Sequence, residues 1–133
     1  MVKVHSLEHV ALAYRDTDAA AQWYCDVLGF EIVLKFQNPG RQVNIYFIRD
    51  PAGTGFIEII PMPEGDPTQL DDIRTSHVHL AFNVDDMDEA IAALEAKGVE
   101  LEGPPAKNGE NVLLFFRDPE GAPLQLVQRA KPL

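Results

Sequence analysis

Two short segments place a polar side chain inside an apolar run. In GFIEII (55–60) Glu58 lies between Ile57 and Ile59, and in GAPLQLV (121–127) Gln125 lies between Leu124 and Leu126. A polar group buried without a partner costs about 1–3 kcal/mol, so each of these must meet something. Two histidines stand in matching surroundings, His9 in HVALAY and His79 in HLAFNV, each followed by small residues that leave room for a ligand. Two imidazoles, a carboxylate and an amide oxygen suit a first-row divalent ion such as zinc, nickel, manganese, iron or cobalt. Such a set leaves positions open for water or substrate, which Lewis-acid catalysis requires. An organic ligand, or simple hydrogen bonding within the strands, would satisfy the same residues.

The two pairs are copies of one another. His9 to Ala20 overlays His79 to Ala90 without a gap, at an offset of 70 residues. FIRDPAG (47–53) overlays FFRDPEG (115–121) at an offset of 68, and one further gap brings IEII (57–60) over LQLV (124–127). Two copies are too few for a solenoid and indicate a duplicated supersecondary unit. The register makes His79 the counterpart of His9. His77 shares its strand face two residues earlier and could compete as a ligand, but it aligns with Leu7.

Each copy reads as β-α-β-β-β. Strands are expected over 7–14 and 78–84. Helices follow through AAAQWYCDVL and AIAALEA, opened by Asp16 and Asp86 as N-caps and closed by Gly29 and Gly98. Three strands are expected over 30–36, 42–49 and 56–60 in the first copy, and over 99–101, 111–117 and 123–128 in the second. DPAG and DPEG supply the turns before the last strand. The fold class is α+β: a single domain, 1–133, of two βαβββ modules at about 4–61 and 76–129. The segment 62–75, rich in Pro, Gly and Asp, is the linker.

Composition narrows the function. With 11 basic and 21 acidic residues the net charge is −10, which argues against nucleic acid and anionic membrane surfaces as partners. No apolar run approaches the roughly 20 residues of a membrane span, and no signal-peptide pattern opens the chain. One cysteine, Cys25, excludes an intrachain disulfide and suits the cytoplasm. Cys25 has no basic partner in sequence and reads as packing, while His5 is read as part of the N-terminus.

Together, LEHVALAYRDTDAAAQWYCDVLGFEI, GFIEII, HLAFNVDDMDEAIAALEAKGV and FFRDPEGAPLQLV resemble the vicinal oxygen chelate superfamily over residues 7–127. That group includes glyoxalase I, extradiol dioxygenases, methylmalonyl-CoA epimerase, and the fosfomycin- and bleomycin-resistance proteins. The resemblance implies paired βαβββ modules curling a mixed sheet into a cup, and commonly a homodimer. It implies His9, Glu58, His79 and Gln125 as metal ligands. At the last of these, glyoxalase I and most metal-dependent relatives have Glu. Gln125 cannot take up a proton, so Glu58 is the carboxylate left to act as catalytic base in a lyase, isomerase or epimerase reaction on a small oxygenated substrate. The alternative implied is a metal-free small-molecule or drug-binding protein like the bleomycin-resistance proteins, for which the acidic charge would suit a cationic ligand.

Overall fold

The computed structural model describes residues 1–3, 5–63 and 78–133. The chain forms two compact units, Met1–Asp66 and Pro67–Leu133. The expected linker beyond Pro63, and His77, lie outside the described residues.

In the first unit the elements are β1 (Val10–Tyr14), α1 (Thr17–Leu28), β2 (Glu31–Gln37), β3 (Asn44–Arg49) and β4 (Phe56–Pro61). They build a four-stranded mixed sheet in the order β1-β4-β3-β2, with β1 parallel to β4 and the other pairs antiparallel. Helix α1 starts where the Asp16 carboxylate accepts from Ala19 N at 2.9 Å. It ends at Gly29, whose φ of 72° is the left-handed cap that a side chain would resist. The helix buries Ala20, Ala21 and Tyr24, and packs on β1, β3 and β4. Tyr14, Tyr24, Ile48 and Ile59 are sealed from solvent in that layer. Burying each such side chain is worth about 1.5–3 kcal/mol. Alternation then sends Glu58 away from the helix, because its neighbours Ile57 and Ile59 point toward it.

A second contact ties the helix start to β3. Asp18 accepts from Tyr46 Oη at 2.7 Å and from Asn44 Nδ2 at 2.8 Å, and Thr17 Oγ1 donates to the Asn44 carbonyl. At the DPAG turn Asp50 accepts from the amides of Thr54 and Gly55. A Cβ on Gly55 would lie 2.8 Å from the Asp50 carboxylate, so this close approach needs glycine.

The second unit repeats the plan with β5 (Leu80–Asn83), α2 (Met87–Ala96), β6 (Ala106–Asn108), β7 (Asn111–Arg117) and β8 (Pro123–Gln128). Its order is β5-β8-β7-β6, with β5 parallel to β8. The Asp86 carboxylate accepts from Glu89 N at 3.0 Å, and Gln128 Oε1 accepts from Met87 N at 2.7 Å, so two free amides of the α2 start are met. Met87, Leu94, Leu114, Phe116, Leu124 and Leu126 form the core. Asp118 is buried and holds the DPEG turn through the amides of Glu120 and Ala122.

Three expectations shift. Strands β1 and β5 are shorter than 7–14 and 78–84, so His9 and His79 each immediately precede a strand. The strand expected over 99–101 is a single bridge from Leu101 to Phe116, and the edge strand forms at Ala106–Asn108. Gly103, Pro104 and Pro105 intervene, and prolines supply no amide for a ladder. Helix α2 is capped by Lys97, with Gly98 in the left-handed region one residue on.

Candidate metal half-sites

In the first unit the candidate residues gather on the sheet face away from α1. The register places Ala11 and Phe47 on either side of Glu58. Ala11 keeps the surface open, and His9 comes over it from the start of β1. The His9 Nε2 lies 3.3 Å from Glu58 Oε2, with the side chains 31% and 21% exposed. The imidazole and the Phe47 ring meet edge to face, with centroids 5.2 Å apart at 81°. On its other side His9 Nδ1 contacts the Glu8 carboxylate.

These contacts decide what His9 can bind. Glu8 accepts the Nδ1 proton, which leaves Nε2 of a neutral ring as an acceptor. That acceptor faces the acceptor oxygen of Glu58. Two lone pairs at this distance call for a cation between or beside them, either a proton on Nε2 or a metal ion. The proton is favoured here: His9 is held above the ordinary value of 6.5, first by the Glu8 hydrogen bond and then by the charges of Glu8 and Glu58, against the opposing effect of burial. A metal ion fits the same donors. Ligand atoms about 2.0–2.2 Å from one ion stand roughly 3.0–3.4 Å from each other. A ligating histidine that gives its second N–H to a carboxylate is the usual arrangement at such sites.

In the second unit Gln125 pairs with Ala81 on one side and Phe115 on the other, the same register as Glu58. His79 sets its edge on Phe115, centroids 5.5 Å apart at 85°. Gln125 is buried, at 7% exposed. Duplication thus extends beyond sequence: the histidine–aromatic contact and the register that sets Glu58 or Gln125 beside that aromatic residue recur inside each unit. Among the described residues no three His, Cys, Asp or Glu side chains are arranged to hold a metal ion.

Glu8 gave no signal in the sequence. Neighbours in a strand point to opposite faces, and Glu8 meets His9 only because the regular strand begins one residue later, at Val10. The aromatic residues now sort by face. Phe47, Phe56 and Phe115 share the face of Glu58 or Gln125, whereas Tyr46 and Phe82 lie on the opposite faces. Cys25 is half-buried and its thiol is pushed up, mainly by burial, as expected of a packing residue.

Fold and register together define a duplicated α+β protein built on βαβββ units. The chain belongs to the Glyoxalase/Bleomycin resistance protein/Dioxygenase superfamily, whose family model matches residues 6–126. It is 31% identical over 134 residues to the uncharacterized protein YaeR of Escherichia coli, covering 97% of this chain and all of that one. It is 28% identical over 122 residues to a lactoylglutathione lyase of Haemophilus influenzae, covering 90% of each. Plant relatives are longer: the chain spans 43% of the lactoylglutathione lyase GLX1 of Arabidopsis thaliana, at 28% identity over 91% of itself. Among solved structures, a glyoxalase family protein from Enterococcus faecalis aligns with a TM-score of 0.75 at 28% identity, over 92% of this chain and 97% of that one. No helix among the described residues is long and apolar enough to cross a membrane.

Proposed function

We propose that the protein is a metal-dependent enzyme acting on a small oxygenated substrate, a lyase, isomerase or epimerase, with His9, Glu58, His79 and Gln125 as metal ligands. The observation that carries this reading is the approach of His9 Nε2 to Glu58 Oε2 at 3.3 Å, a separation that two donors to one ion would also have, with Nδ1 already committed to Glu8. The relatives named lactoylglutathione lyases support the reaction class. A bound divalent ion would polarise a carbonyl oxygen of the substrate and acidify the C–H of the carbon next to that carbonyl. Glu58 supplies the base, since Gln125 cannot accept a proton, and its oxygen would take the proton from that carbon. Glu8 holds the His9 ring in one tautomer, and Phe47 fixes its plane by edge contact. Function as a homodimer belongs to the same proposal, and sedimentation velocity tests it.

The test is metal content and affinity. After incubation with zinc, nickel, cobalt, manganese or iron(II) and removal of excess, at least half an equivalent of one metal should remain bound, and Glu58→Ala should lose it. Retention below a tenth of an equivalent for every metal contradicts the reading. One observation favours a second reading, metal-free capture of a small molecule: Leu34 and Phe36 expose apolar surface on the same face as Glu58. Tight ligand binding unchanged by a chelator would select it.

A further inference from the structure

Two carboxylates compete for one ring proton at His9. A neutral imidazole carries a single N–H, which can sit on either nitrogen. Glu8 faces Nδ1 and Glu58 faces Nε2. With the proton on Nε2, the ring would donate to Glu58, and the pair would satisfy itself with no imidazole lone pair left beside the acid. With the proton on Nδ1, Nε2 presents its lone pair next to the Glu58 oxygens. The 3.3 Å from Nε2 to Glu58 lies just beyond the usual range of about 2.7–3.2 Å for an N–H···O bond, whereas Nδ1 is in hydrogen-bond contact with Glu8.

Glu8 does not serve packing. Its side chain is 79% exposed. Water screens the charge of so exposed a carboxylate, so its leverage on the ring lies in the direct contact. The second unit lacks the same competition. The residue before His79 is Val78, which accepts no hydrogen bond, and the counterpart of Glu58 is Gln125. An amide can donate as well as accept, so it does not draw a ring proton as a carboxylate does. An arginine–glutamate pair, by contrast, recurs in both units, Arg49 with Glu31 and Arg117 with Glu102. The acid ahead of the histidine thus occurs in the unit whose strand carries Glu58, and not in the unit whose strand carries Gln125.

We propose that Glu8 is a positioning residue for a divalent cation: it holds the proton of neutral His9 on Nδ1 and so keeps the Nε2 lone pair, beside Glu58, open to the ion. This rests on the functional reading for the ion itself. The place of the ring proton is a property of the protein without metal. Loss of Glu8 removes no ligand; it lets His9 and Glu58 close on each other.

Nitrogen-15 histidine spectra and calorimetric titration of zinc or nickel test it on the same proteins, at about pH 8.5 where the imidazole is neutral. In the chelator-stripped wild-type protein the His9 proton should reside on Nδ1. In Glu8→Gln it should move to Nε2, because the charged acceptor that remains against the ring is Glu58. Metal should bind Glu8→Gln roughly tenfold more weakly than the wild-type protein. Glu8→Ala is a second variant with the same expectation. Glu95→Gln removes an exposed carboxylate from α2 and should change neither reading, which separates the contact from the net charge. A wild-type His9 proton on Nε2, an unmoved proton in both Glu8 variants, wild-type metal affinity in both, or an equal loss in Glu95→Gln overturns the proposal. Metal binding by the wild-type protein in any of those cases leaves the functional reading standing. No metal binding by the wild-type protein overturns both.

Discussion

His9 is the residue on which most of the chemistry turns, because its two nitrogens face two carboxylates. Its raised pKa means that the folded state favours imidazolium. The resulting stabilisation is full below the ordinary value of 6.5 and is lost as pH rises through the raised value. Metal binding has the opposite demand, since the ligand must be neutral, so affinity should fall as pH drops through the His9 pKa. Glu8→Gln removes the largest cause of the shift, and an NMR titration should show the His9 pKa moving down. An unchanged His9 titration would mean that Glu8 does not set it. At the repeat-equivalent position, Gln125→Glu should tighten divalent metal binding by roughly tenfold or more, because a charged oxygen replaces a neutral one. The matching placement of His9 with His79 and of Glu58 with Gln125 was legible in the sequence, because the duplication aligns them. Glu8 was not, because its contact depends on where the regular strand begins.

Elements carry the positioning. The parallel pairings of β1 with β4 and of β5 with β8 bring distant residues side by side, Ala11 to Glu58 and Ala81 to Gln125. Helix α1 is fastened to β3 through Asp18, whose carboxyl is held below its ordinary 3.8 first by the Asn44 hydrogen bond and then by that of Tyr46. That contribution is present above 3.8 and lost as pH falls through the lower folded value. Tyr46→Phe should cost about 1 kcal/mol in urea denaturation at pH 7, with a smaller loss in acid, once the pH is low enough to protonate Asp18. Removing the α1 cap with Asp16→Ala should cost about 1 kcal/mol as well. Helices and inner strands were readable from their caps and alternation. The edge strand of the second unit was not: the apolar pair Val99 and Leu101 resembles a strand, but Gly103, Pro104 and Pro105 delay the ladder to Ala106.

At the scale of the whole chain, one ancestral unit has been used twice and has diverged at the acid. The cap, the DPxG turn and the paired arginine are retained in both units, as is the histidine on an aromatic edge. Glu58 and Gln125 differ: a carboxylate can take up a proton, whereas an amide cannot. Family membership follows from the match over residues 6–126.

Isothermal titration of nickel or zinc into the chelator-stripped protein, beside His9→Ala and Glu58→Ala, tests the central claim most directly. The wild-type protein should bind about one equivalent, and each variant should bind at least about a hundredfold more weakly while keeping its fold by circular dichroism. Equal affinity in all three proteins, or no binding by any, would contradict the assignment of His9 and Glu58 as metal ligands.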